Sequence, residues 1–333
     1  MPEPEIGPYD VLVETLAAGV CGTDRHIVEG TFYRSAYPAI VGHETLGRVV
    51  QTGKDVRYLT PGSLVLRTTA VRPGEQLGEW HSMLGGFAEL AVATDVRALT
   101  EDGRADLVRP YDRMQRTVPG DFDPLDAGAF IVFKETLSWL RTVGDVAGRR
   151  LVVIGTGGAA LMFIQIARSL GARQVIVVGR RQERLQRAKE LGADGAIVGA
   201  DDTPTTIREL TDGEGADLVI DAAGATATLE AIPDALAHGG TLAVYGLSVG
   251  QSATFRWGWD RSTPRDWTLR FAEPDEAGIH DEALALLSSQ AVDLKSILTD
   301  VVAFSDAATV LDVMNQPTSA KVAIDFQAER DRR

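Results

Sequence analysis

RLVVIGTGGAALMFIQIARSLGA, residues 150–172, reads as three pieces: a short apolar run at 151–154, a glycine-rich turn, and a helix from about 158 to 170 with apolar residues at helical spacing. The turn Gly155-Thr156-Gly157-Gly158-Ala159-Ala160 has the form G-x-G-x-x-A. That motif is weak alone and informative directly after a strand and at the head of a helix. Gly155 permits the tight turn, and Gly157, followed by Gly158, lets the backbone approach a pyrophosphate at the helix N-terminus. Ala160 lets the helix pack against the sheet. A dinucleotide site is the expectation, against the plainer reading of a glycine-rich turn that binds nothing.

Outward from this stretch the alternation continues. A second strand, QVIVVG, follows at once, then the charged amphipathic helix RRQERLQRAKELGAD and the strands GAIVGA and ADLVIDAAG. The helix TLEAIPDALAHGG and the strand TLAVYGL come next. Strands alternating with helices predict a parallel, doubly wound α/β sheet. Ala223 and Gly246, just after the later strands, are assigned to the same cofactor site as the glycine turn. The first 125 residues differ: they are rich in short β-type segments, Gly and Pro, and carry no sustained helical period. They predict a separate β-rich domain. Beyond DWTLRF (266–271) the chain returns to helix and closes on a strand, AKVAIDF.

The end of the second strand selects the dinucleotide. NAD is held there by an Asp or Glu that accepts hydrogen bonds from the adenosine ribose. Here the strand ends in Gly179-Arg180-Arg181. No carboxylate repels a 2′-phosphate, and two guanidiniums are available to bind one. NADP is expected rather than NAD, the alternative being that both arginines simply start a solvated helix.

Composition excludes several classes. At 333 residues and 44% hydrophobic the chain can bury a large core, and at about 150 residues per domain two domains are expected. A net charge of −14 argues against nucleic acid or an anionic membrane as partner. The chain shows no charged-then-apolar leader and no membrane-length apolar run, and its single cysteine excludes an internal disulfide. A cytoplasmic protein acting on a small molecule is expected.

That cysteine stands in GVCGTDRHIVEG, residues 19–30, and VGHETLGRVV follows at 41–50 with His43 and Glu44. Thiolate and imidazole are preferred zinc ligands, and a catalytic zinc takes three protein ligands with one position open. One Cys and one His are equally consistent with a buried thiol and a satisfied core histidine.

C-G-T-D-x-H, then G-H-E, then a nucleotide unit with G-x-G-x-x-A resembles the medium-chain dehydrogenase/reductase family, in particular its zinc-dependent alcohol, polyol and sugar dehydrogenases. GTDRHIVEG is similar to a stretch typical of the glucose dehydrogenases among them, and GGFAELAV, AKELGAD and DLVIDAAG extend the likeness. The resemblance implies a GroES-like β-barrel catalytic domain built from residues 1–125 and 272–333, with a Rossmann domain at 126–271 inserted between. It implies Cys21 and His43 as zinc ligands and Glu44 as the carboxylate beside the metal. Asp24 would orient the ligand histidine, Thr23 would take the substrate proton, and His26 would pass it to solvent. It further implies a homodimer or homotetramer formed through the last strands of the nucleotide domain, here ATFRWGWD (253–260) and DWTLRF.

Three features depart from the family pattern. The four cysteines of a structural zinc lobe are missing, so no structural zinc of that type is expected. Relatives carry further residues ahead of MPEPEIGPYDV, which implies a late-assigned start or a barrel lacking an element. The third zinc ligand of relatives, a Cys or Glu, falls on Ile131, and the nearest carboxylate is Glu135. Either Glu135 or Glu44 would then complete the zinc site, or zinc is weak or missing. An NADP-linked dehydrogenase of a secondary alcohol (a polyol, sugar or cyclitol-like molecule) is therefore expected. The alternatives are a zinc-free NADPH-dependent reductase of the quinone or enoyl type and a non-catalytic NADPH-binding protein. Trp80, His81, Glu273, Asp275 and His280 are candidates to line the substrate pocket, and equally candidates for solvated loop positions.

Overall fold

The computed structural model of the chain describes residues 2–32, 36–199, 202–224, 226–246 and 266–328. It divides into two compact units, Met1–Ile131 with Leu298–Arg333, and Val132–Ile297. Among the described residues no helix is long and apolar enough to cross a membrane.

The first unit is built on the strand Asp10–Val20, buried along nearly its whole length. It pairs antiparallel with Glu44–Thr52, with Leu90–Thr94 and with the late strand Lys321–Asp325. The strand Leu298–Ala303 adds in parallel beside Lys321–Asp325, so the end of the chain completes a sheet begun by its start. An apolar run without alternation suits such a central strand, covered on both faces. Val11, Val13, Val49 and Val65 form one core cluster there, and Val20, Val302, Val322 and Ile324 belong to another.

The second unit is a six-stranded sheet in the order Gly195–Val198, Gln174–Gly179, Arg150–Ile154, Ala216–Asp221, Leu236–Val244, Trp267–Phe271. Every neighbouring pair is parallel. After Arg150–Ile154 the chain builds outward on one side, then returns to build on the other. The order reverses between Arg150–Ile154 and Ala216–Asp221, where open α/β sheets bind ligands beyond their carboxyl ends. The helix Gly158–Ser169 is buried from Ala160 through Ala167. Phe163 on that helix packs edge-on with Trp139 and Tyr245, at centroid distances of 5.3 and 5.1 Å.

Two expectations are corrected. The helix predicted over 228–240 gives way to Thr226–Ala231, a 3-10 turn at Ile232–Ala235 and a strand that already begins at Leu236. Pro233 has no N–H to continue the ladder, and Leu236 pairs instead with Ala216. The unit boundaries lie at 131/132 and 297/298 rather than at 125/126 and 271/272. Residues 272–297 pack with the nucleotide-type unit because polar side chains tie them there. Lys134 pairs with Glu276, Arg141 with Glu282, and Gln165 with Ser296.

Candidate active site

Asp24 organises the first unit's polar centre. It sits in the short helix Gly22–Val28 and is 1% exposed. Its Oδ2 accepts the backbone N–H of Cys21 at 2.9 Å. Its Oδ1 accepts the N–H of Gly42 at 3.1 Å and lies 3.2 Å from Nδ1 of His43. The carboxylate thus satisfies its own burial and fixes the helix start against the segment that carries His43 and Glu44. With Nδ1–H donated to Asp24, Nε2 of His43 is the nitrogen left for another partner. Burial opposes a charged imidazole, but the Asp24 carboxylate and the Cys21 thiol together offset it and hold the His43 pKa well above its ordinary value. Gly42 supports the arrangement with φ +95°, and a Cβ there would collide with the Phe87 ring.

Cys21, His43 and Glu44 come together: one ligand atom from each lies within 4.8 Å of the others. Glu44 is fully buried, and its Oε1 has no hydrogen-bond partner among the described residues. A buried carboxylate with one orphaned oxygen, grouped with a thiol and an imidazole, fits a cation of zinc's ligand preference. Two glycines, Gly19 and Gly128, make room for the Glu44 carboxylate. A Cβ on Gly19 would strike Glu44 Oε2 and lie 2.6 Å from the Cα of Gly128. Ile131, at the place of the family's third ligand, is fully buried and offers no donor atom. Glu135 lies farther along the helix Ala127–Val143, in the second unit, and is not part of the group of three.

Thr23 Oγ1 stands 3.8 Å from Cys21 Sγ, near the van der Waals limit for a thiol contact. His26 follows one helical turn later, half-buried, with Nδ1 3.2 Å from Thr31 Oγ1. Residues three apart on a helix share a face, so Thr23 and His26 lie on the same side of the helix Gly22–Val28.

In the second unit the predicted cofactor residues converge on the carboxyl ends of the central strands. Gly155 has φ +120°, and a Cβ on it would sit 3.3 Å from the Ala222 carbonyl carbon. Gly157 caps the helix Gly158–Ser169, and a Cβ there would meet nothing within 4 Å. A Cβ on Gly246 would collide with the backbones of Ala223 and Gly224. Asp221 holds that corner, its carboxylate accepting the N–H groups of Ala223 and Gly224, each at 3.0 Å. Burial raises the Asp221 pKa, with those N–H groups opposing. Gly179 is pressed between Thr156 and Leu185. Arg180 and Arg181 are exposed, and neither guanidinium is bonded to a described residue.

One central residue has no place in the sequence reading: Lys321, 4% exposed, ion-paired with Glu44. Burial works against its charge, and Glu44, together with Cys21 and Asp24, offsets burial and raises its pKa. The signal was available, since a lysine heading an apolar strand must find a partner, and only 33 residues of the chain are cationic. Of the pocket candidates, His280 is buried, His81 contacts Gln76 on an exposed hairpin, and Asp275 accepts the N–H of Gly278. The segment 253–260, expected at a subunit contact, lies outside the described residues.

Comparison with known proteins agrees with this geometry. Residues 7–101 match the alcohol dehydrogenase GroES-like domain, and residues 158–260 match the zinc-binding dehydrogenase family. L-threonine 3-dehydrogenase of Anaeromyxobacter sp. (strain K) is 28% identical over 353 residues, covering 99% of this chain and 95% of the relative. L-threonine 3-dehydrogenase of Streptomyces avermitilis is 29% identical over 343 residues, covering 98% and 94%. Among solved structures, alcohol dehydrogenase TADH from Thermus sp. ATN1 shares the fold with a TM-score of 0.80 at 24% identity, covering 98% of this chain and 95% of that one. The two matched domains, the GroES-like and Rossmann architecture and the Cys21, His43, Glu44 group place this chain in the medium-chain dehydrogenase/reductase family, as a zinc-type, NAD(P)-dependent alcohol dehydrogenase.

Proposed function

We propose that the protein is an NADP-linked dehydrogenase interconverting a secondary alcohol of the polyol, sugar or cyclitol type and its carbonyl. One zinc would be held by Cys21, His43 and Glu44. The observation that carries the metal reading is buried Glu44, whose Oε1 has no partner among the described residues and whose carboxylate offers an oxygen within 4.8 Å of ligand atoms of Cys21 and His43. It favours Glu44 over Glu135 as the third protein ligand. When bound, zinc supplies Lewis acidity to the alcohol oxygen, and the nicotinamide supplies the hydride acceptor.

The chain's own residues do the rest. Asp24 fixes the His43 ring through Nδ1 and the Cys21 backbone through its N–H, so two ligand groups are pre-oriented by one acid. The Thr23 hydroxyl, 3.8 Å from the Cys21 thiol, is the proton acceptor, and His26 takes the proton on toward solvent with Thr31 as its partner. In the second unit, Gly155 and Gly157 let the backbone approach a pyrophosphate, and Arg180 and Arg181 are free to meet a 2′-phosphate. L-threonine, the substrate in the names of the relatives, is itself a secondary alcohol, and belongs in the same test.

The test is metal analysis of protein purified without chelator, with Cys21→Ser and His43→Ala alongside. A panel of polyols, sugars, cyclitols and L-threonine is assayed with NADP and with NAD. About one zinc per chain, lost with activity in both variants, is expected. Full NADPH-linked turnover by chelated protein would move it to the zinc-free reductases, a reading that buried Ile131 at the third-ligand place favours.

A further inference from the structure

The Glu44 carboxylate has two neighbours of opposite kind. Its Oε2 is ion-paired with Lys321, its Oε1 has no partner among the described residues, and one oxygen of the carboxylate lies within 4.8 Å of ligand atoms of Cys21 and His43. The meeting is arranged by the sheet. Glu44 is in register with Gly19, and Gly19 with Ala323, two residues beyond Lys321. A side chain at Gly19 would occupy the place of Oε2. Only a glycine in the middle strand therefore lets an ammonium from one neighbouring strand reach a carboxylate from the other.

Both partners are buried, so each charge depends on the other. Asp24 and the Cys21 sulfur also act on the ammonium and add to the raising of its pKa. A divalent cation at Cys21, His43 and Glu44 would thus share its carboxylate with a fixed positive charge already in place. Like charges at such range repel, and a carboxylate oxygen engaged by an ammonium is a poorer metal donor.

We propose that Lys321 is a positioning residue that competes with the metal for Glu44: it holds Oε2, leaves Oε1 as the single donor oxygen, and lowers the affinity of the site for its cation. This rests on the zinc reading above. The lysine also keeps Glu44 compensated in protein without metal, so the first unit folds independently of metal supply, at the cost of weaker retention.

The experiment measures zinc affinity by competition with a chromophoric chelator at fixed pH, in the wild-type protein and in Lys321→Met. The d–d spectrum of the cobalt-substituted protein and Tm with and without metal are recorded in parallel. Lys321→Met is expected to bind zinc at least roughly tenfold more tightly. Its cobalt spectrum should shift, and added zinc should raise its Tm more than it raises that of the wild type. Lys321→Arg, which keeps the charge, should restore wild-type affinity. Lys321→Gln, which keeps a donor to Oε2 without the charge, is the second variant should the methionine fold poorly, and the same direction is expected. In a Glu44→Gln background the gain on removing Lys321 should shrink.

A purely structural lysine would lower Tm equally with and without zinc and leave affinity unchanged. That outcome, or weaker zinc binding in both neutral variants, overturns the proposal while the zinc reading stands. Wild-type protein whose zinc binding is indifferent to Cys21→Ser overturns the zinc reading instead, and Lys321 with it.

Discussion

Oδ1 of Asp24 lies 3.2 Å from Nδ1 of His43, and the same carboxylate receives the backbone N–H of Cys21 at 2.9 Å. Cys21 and His43 are 22 positions apart in the chain, and one buried acid sets the relation between them. Orientation of a metal-binding histidine by a carboxylate is a common requirement of such sites. The added feature is that this acid also closes the helix that carries the thiol.

Asp24→Asn should therefore loosen the metal site more than it loosens the fold. The amide keeps one acceptor oxygen but turns an NH2 group toward an N–H donor. A loss of about 10–100-fold in zinc affinity is expected. Chelator competition measures it, and an unchanged affinity would show that His43 needs no such guide. Asp24→Ala, which leaves the Cys21 and Gly42 N–H groups without their acceptor, should also cost about 1–3 kcal/mol in unfolding free energy.

Cofactor choice is tested at the end of the strand Gln174–Gly179. Replacing Arg180 and Arg181 with Ala should weaken NADP binding by about 1–3 kcal/mol for each charge-assisted hydrogen bond removed, and leave NAD binding nearly unchanged. Titrations followed by cofactor fluorescence give both numbers. Equal losses for the two cofactors would assign the arginines to the fold.

Acid sensitivity should report on the ion pair of Arg150 with Asp217, whose guanidinium and carboxylate are joined at 2.9 and 3.0 Å. Burial pushes the Asp217 pKa up, and the bonds from Arg150 outweigh it, so the pKa is lowered. A lowered carboxylate pKa stabilises the fold fully above the unfolded value of about 4, and that contribution is lost as pH falls through the folded value. Asp217→Asn should cost about 1 kcal/mol near neutral pH. The gap in Tm should close below about pH 4. A gap of constant size down to about pH 3 would contradict the assignment.

Assembly is expected through the edge of the second unit's sheet. The strand Trp267–Phe271 pairs with Leu236–Val244 on one side, and Phe271 is 68% exposed. Among the described residues nothing pairs with the strand's other edge, and an open edge with an exposed aromatic is a template for a second chain. Sedimentation should show a homodimer or homotetramer, and Phe271→Lys should shift it toward monomer. A wild-type protein that stays monomeric at micromolar concentration removes this expectation.

The sequence by itself determined what adjacent residues encode. The apolar run, glycine turn and helical period at 150–172 specify a strand, a turn and a helix, and their repetition specifies a parallel sheet, because these periods follow from backbone geometry alone. Residue types also limited the chemistry: one thiol, a histidine and a carboxylate next to it suit zinc wherever the chain brings them together. Only the tertiary structure decided which charges meet. Glu44 and Lys321 are 277 residues apart, and their pairing depends on the register of three strands and on the missing side chain of Gly19. The allegiance of residues 272–297 was likewise invisible, since Lys134 and Glu276 find each other across 142 positions. Local periodicity is written along the chain, whereas the partner of a buried charge is set by how strands align, and a slip of one residue would have turned Lys321 to the opposite face.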